Sequence, residues 1–147
     1  MKSDSKKEHR YIAKECLLMR VRTLSRVVTS IYEKKLQKYG LKATQLNILV
    51  TVANLGSIQQ KRLGNYFQME KSSLSRTLVP METNGWIRIE KSGVSKRVYI
   101  TSSGLKVLDK IFIEWKTAQQ EVETLIGQQM TYGLKENFKK ISAVKSL

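Results

Sequence analysis

The chain has 147 residues, 41% of them hydrophobic, which favours one domain with a proper core. Its 27 lysines and arginines against 12 acids leave a net charge of +15, a field that draws polyanions, nucleic acid before anionic membrane. One cysteine and one histidine exclude an intrachain disulfide framework and argue against a Cys/His metal site, so no metal or other cofactor is expected. No apolar run is long enough to span a bilayer, and "YIAKECLLMRVR" is too interrupted for a signal core. A cytoplasmic protein without a membrane partner is expected.

The first predicted element is one long helix from about Tyr11 to Tyr39. Leu17, Val21, Leu24, Val28 and Ile31 follow one another at steps of 4, 3, 4 and 3, an apolar stripe on a single face. His9 precedes it in a tail read as mobile. A second helix covers about Thr44–Asn54 and a third, short one about Ile58–Phe67. Gly64 inside that short helix costs stability relative to alanine, and close approach of another helix is a physical reason to keep it.

The fourth helix lies within "MEKSSLSRTLVPMETNGW", residues 69–86. On a helical wheel Leu74, Leu78 and Met81 share the buried face, and Ser72, Arg76 and Thr83 fall opposite, flanked by Ser73, Ser75 and Val79. Small hydroxyls let a helix lie deep in a DNA major groove, and an arginine reaches guanine or phosphate. Lys71 at the helix start, with Lys61 and Arg62 in the preceding helix, are candidate phosphate contacts. Pro80 removes a helical hydrogen bond and crowds the Arg76 carbonyl, so a bend or an early end is expected there.

After Gly85 the period changes to two. "WIRIEKSGVSKRVYIT" alternates around Ser92-Gly93 and predicts a hairpin whose tip carries Lys91, Lys96 and Arg97. The last third is helical again: a long helix with Leu105, Leu108, Phe112, Trp115, Val122 and Ile126, then a final helix with Leu134, Phe138 and Ile141. Three helices followed by a two-stranded hairpin make a winged helix-turn-helix. The first and last helices lie outside that module, and a second copy of the chain is the simplest place to bury their stripes.

"YGLKATQLNILVTVANLG", "KRLGNYFQMEKSSLSRTLVPMETNGWI" and "VYITSSGLKVL", in that order, resemble the MarR-type transcriptional regulators over nearly the whole chain. The arginine and proline of "SRTLVPME" recur in one branch of that family. The resemblance implies a mainly α fold with a small β-hairpin wing. It implies one domain in which dimerisation helices, about 11–39 and 104–147, flank a DNA-binding lobe of about 42–101. Leu17, Val21, Leu24, Phe138 and Ile141 are then the expected dimer residues. A homodimer would set two recognition helices into successive major grooves of a pseudo-palindrome, about 34–36 Å apart. Ser72, Ser73, Ser75 and Arg76 carry over as recognition positions, and Lys96 and Arg97 as wing positions. Lys42 stands where the family has a capping threonine.

The function expected is therefore a regulator of transcription that binds double-stranded DNA, a repressor in the family's usual manner, released by a small aromatic effector. Two alternatives stay open: a redox regulator switched through Cys16, and a nonspecific architectural DNA binder. Cys16 beside Leu17 and Leu18 also reads simply as a small buried hydrophobe. An enzyme is not expected, because no nucleophile–base pair, metal cluster or phosphate-cradling glycine loop stands out.

Overall fold

The computed structural model describes residues 2–143, and the side chains of residues 6–140. In chain order these residues form α1 (Lys2–Glu15), α2 (Leu17–Leu36), a 3-10 turn (Gln37–Tyr39), α3 (Ala43–Leu55) and β1 (Ser57–Gln59). They continue as α4 (Gln60–Phe67), α5 (Lys71–Thr83), β2 (Ile87–Ser92), β3 (Ser95–Ile100) and α6 (Ser102–Ala143). The fold is mainly helical, with a winged helix in the middle and long helices at both ends.

The core belongs to the middle. Ile48, Leu49 and Val52 of α3, Leu63 of α4, Leu74, Leu78 and Met81 of α5, and Ile87 and Val98 of the sheet are buried together. Leu74, Leu78 and Met81 are the face that the wheel assigned to the interior. Gly64 also meets its expectation. A Cβ there would stand 3.3 Å from the Met69 carbonyl oxygen and 3.4 Å from Leu74 Cδ2, so only glycine lets α5 close on α4 without adjustment.

The first helix departs from the expected single rod. It begins earlier, at Lys2, and takes in the segment around His9 that was read as a mobile tail. It also breaks at Cys16, whose ψ of 108° is extended. The Arg20 guanidinium donates to the Cys16 carbonyl at 3.0 Å and to that of Lys14, satisfying acceptors that the break leaves without helical partners. α3 starts without a side-chain acceptor at Lys42. Instead Gln45, itself buried, accepts the Lys42 backbone N–H at 3.0 Å through Oε1, half of a capping box.

Ile58 sits in a strand and not at a helix start. β1 pairs antiparallel with β3, Ile58 opposite Val98, so the wing is a three-stranded sheet in the order β1-β3-β2. Three residues are too few to show an alternating pattern, which is why periodicity missed them. β2 and β3 form the expected hairpin around Gly93 and Val94, with Lys91 opposite Lys96 and Glu90 opposite Arg97. Trp86 lies just before β2, buried under the lobe.

α5 does not end early at Pro80. It runs to Thr83, and the next N–H, of Asn84, still donates to the Pro80 carbonyl at 2.9 Å. Pro80 is exposed while Leu78 and Met81 on either side are buried, so packing holds the last turn despite the missing bond. The junction to α6 is tight. Thr101 Oγ1 accepts the Gly104 N–H at 3.0 Å, an N-cap, and lies 2.6 Å from the Gly85 carbonyl oxygen. A Cβ on Gly104 would lie 2.2 Å from the Trp86 carbonyl oxygen.

α6 is two arms. Gly127 leaves helical geometry, with φ 79° and ψ 164°. Lys135 Nζ nevertheless reaches Glu123 Oε1 at 2.8 Å, across 12 residues that a straight helix would spread over about 18 Å. The chain therefore folds back at Gly127, matching the expected long helix followed by a final one. Phe138 returns to the neighbourhood of Trp115. Ile141 lies outside the residues whose side chains are described.

Candidate nucleic-acid interface

α5 presents its outer surface through Lys71, Ser72, Arg76, Val79, Pro80 and Thr83, all exposed. Ser73 and Ser75 turn further inward than the wheel places them and are half-buried. Ser75 Oγ is reached by Gln60 Nε2 at 3.4 Å, and the Ser73 carbonyl accepts from Thr77 Oγ1 at 3.0 Å. Gln60 is buried at the start of α4, so its amide spans the angle between the two helices of the motif. A glutamine at that position gives no periodic signal, and sequence reasoning passed over it.

Lys61, Lys71 and Lys96 line one groove of about 630 Å3 between α4, the start of α5 and the hairpin tip. Three separate elements thus bring their ammonium groups to one side of the lobe. Glu70 sits among them as the acidic neighbour, and Val94 at the tip is fully exposed. Arg62 and Arg76 are exposed but are not part of that groove. Among the described residues, none of Lys61, Arg62, Lys71, Arg76 or Lys96 enters an ion pair.

The wing is tied to the lobe by side-chain contacts that pattern reading did not show, one of them made by Arg97, which was expected to face DNA. Arg97 is half-buried and donates from Nη1 to Ser57 Oγ at 3.1 Å, pinning β1 to β3. Glu82 at the end of α5 accepts the Ile89 N–H at 3.0 Å, which fixes the angle between α5 and β2. Arg88 pairs with Glu90 and stacks over the Tyr99 ring at 4.8 Å. These contacts hold the wing tip and the outer face of α5 in one relative position.

Outside the lobe, Leu17, Val21 and Phe138 are exposed and Leu24 is half-buried. Cys16 is half-buried at the helix break and not in a disulfide. Among the described residues no group of three or more His, Cys, Asp or Glu is placed to hold a metal ion. No helix among them is long and apolar enough to cross a membrane.

Residues 41–99 match the model of the MarR family. A Bacillus subtilis (strain 168) protein described as an uncharacterized HTH-type transcriptional regulator, YwoH, is 24% identical over 109 residues, covering 72% of this chain and 79% of that one. A mutant MarR from E. coli solved with operator DNA superposes with a TM-score of 0.76 at 15% identity, over 89% of this chain and 96% of that one. NadR in complex with 4-hydroxyphenylacetate gives 0.66 at 19% identity, over 85% and 89%. The structural likenesses establish the fold, and the family match falls on the segment that carries the groove and the outer face of α5. The family match is thus confined to the winged lobe, residues 41–99, where the chain is similar to the MarR family, and the fold around it is that of the solved MarR-type winged helix-turn-helix proteins.

Proposed function

We propose that this chain binds double-stranded DNA sequence-specifically as a homodimer on a pseudo-palindromic operator. One observation carries the reading. α5 turns Ser72 and Arg76 outward beside a groove that gathers Lys61, Lys71 and Lys96, and none of these four cations is ion-paired among the described residues. Arg76 reads guanine or grips phosphate from the major groove, and Ser72 contributes a small hydroxyl. Val79 offers methyl groups of the kind that contact thymine. Lys61, Lys71, Arg62 and Lys96 neutralise phosphates and set the register. Ser73 and Ser75 act from the flanks of the helix, Ser75 through its contact with Gln60. Arg97 supports the wing from its base.

Two copies are part of the proposal because the apolar side chains of α1, α2 and the second arm of α6 lack a cover. Tyr11, Ile12, Leu17, Leu18 and Val21 are each at least 60% exposed, a surface that monomeric proteins rarely leave to water. In this reading Leu17, Val21, Leu24 and Phe138 belong to that interface. Repression by occupying a promoter is the direction proposed. A small-molecule effector belongs to the same reading, supported by the ligand in the NadR structure. Sedimentation of the protein with its selected duplex tests the assembly. Two chains per operator are expected, bound as a unit; a single chain held with full affinity on an isolated half-site would refute the dimer.

A further inference from the structure

One acid, Glu70, stands inside the groove that gathers Lys61, Lys71 and Lys96. It is the N-cap residue of α5, exposed, and its side chain does not cap the helix. Among the described residues it enters no ion pair either, although three lysines line the same groove. The N–H of Leu74 donates to the Glu70 carbonyl at 2.9 Å, which makes it the first in α5 with a helical acceptor. The N–H groups of Lys71, Ser72 and Ser73 are left at the open end of the helix, beside a carboxylate that caps none of them.

With a neutral residue in place of Glu70, this corner would be a phosphate site in its own right. Open N–H groups, the positive end of a 13-residue helix and the Lys71 ammonium converge on it. All of that attraction is blind to sequence. A phosphate seated there would hold the start of α5 on the DNA backbone and away from base edges. We propose that Glu70 is a specificity-determining residue that acts by repulsion: its carboxylate keeps phosphate off the N-terminus of α5, so that Ser72 and Arg76 stay free to meet bases. Lysine side chains are long and hold a phosphate from a distance, whereas backbone N–H groups bind it only in contact. A carboxylate at the helix end forbids the second and permits the first. Like charges brought together suppress wrong placements, a route to specificity separate from any new attractive contact.

Direct base reading fits the position of Glu70 less well. It lies one turn before Leu74 and lines the flank toward α4 and the hairpin tip, whereas Ser72 and Arg76 hold the outer face. The proposal deepens the DNA-binding function proposed above and rests on that reading.

The test measures the affinity of the full chain for its selected operator and for a random-sequence duplex of equal length, at one fixed salt concentration. Glu70→Gln removes the charge and keeps the size. Binding to the random duplex is expected to tighten roughly fivefold for each Glu70 that meets a phosphate, the effect of two unit charges about 4 Å apart in water. Operator affinity is expected to rise less, so the ratio between the two falls. Glu70→Asp keeps the charge and should keep that ratio. The side chain is exposed and outside the core, so both variants keep the fold. Random-duplex binding unchanged by Glu70→Gln, an equal gain on both duplexes, or the same gain from Glu70→Asp would overturn the proposal. So would a loss of operator affinity with preference relaxed at one base pair per half-site, which would make Glu70 a reader of the cytosine amino group. An unsubstituted chain with no preferred sequence would count against the regulator reading alone; the random-duplex comparison would still show whether Glu70 repels phosphate.

Discussion

In the winged lobe the core side chains are buried and, among the described residues, several cations of its outer face find no acid; on the terminal helices large apolar side chains stay exposed while three lysines are paired. Leu49, Leu63, Leu74, Leu78 and Met81 are at most 2% exposed, whereas Leu17, Leu18 and Val21 on α2 are more than 60% exposed. Lys35, Lys38 and Lys135 find Glu121, Glu114 and Glu123, while Lys61, Arg62, Lys71, Arg76 and Lys96 find no acid among the described residues. A lobe that satisfies its own core but leaves its cations open is finished as a fold and unfinished as an electrostatic surface. Helices that leave their leucines open are unfinished as packing. The first region suits a polyanion, the second another apolar surface.

The largest effect expected of a single change falls where the two regions join. Gly104→Ala places a Cβ against the Trp86 carbonyl, so the start of α6 must shift; a loss of about 1–3 kcal/mol is expected in denaturant unfolding. An unchanged midpoint would show that the junction is looser than its geometry. Next comes the contrast itself. Val21→Glu should leave the lobe folded, by circular dichroism, while sedimentation shows the dimer weakened; an unchanged dimer removes Val21 from the interface.

Arg76→Ala should cost about 1–3 kcal/mol of operator affinity and relax preference at one base pair per half-site, with the dimer intact. Full retention of affinity removes Arg76 from the site. Lys61→Ala should do less and differently: uniform weakening across sequences, and a salt dependence of binding shallower by about one phosphate contact. The smallest effect is on the arm of α6. Hydrogen bonds from Lys135, and then from Gln119, hold the Glu123 carboxyl below the usual carboxylate range. The stabilisation it contributes is present above that range and is lost as pH falls through the lowered value. Amide protection in residues 128–140, corrected for the intrinsic pH dependence of exchange, should therefore fall in acid, and Glu123→Gln should remove that dependence. Exchange that ignores both acid and the substitution would release the arm from this contact.

Much of this was legible in residue spacing. The buried face of α5, the hairpin around Gly93, the close approach at Gly64 and the return of the chain before Phe138 all follow from local period or local sterics. What escaped reading depends on partners distant in sequence. β1 exists because β3 pairs with it, the break at Cys16 is tied by Arg20, and Pro80 is carried by packing on either side. Within the candidate interface, Ser72 and Arg76 were legible as outward positions, because a wheel gives direction. The wheel could not show that Gln60 draws on Ser75 or that Arg97 is engaged by Ser57, since those depend on the angle between elements.

The most direct measurement is selection of binding sites by the full chain from a random duplex pool at near-physiological salt. An inverted repeat with half-sites about one helical turn apart is predicted, from α5 reading sequence while the terminal helices hold two copies in register. Salt-sensitive binding with no consensus would contradict it, leaving the hydroxyls and arginine of α5 as a fit to phosphate and not to sequence.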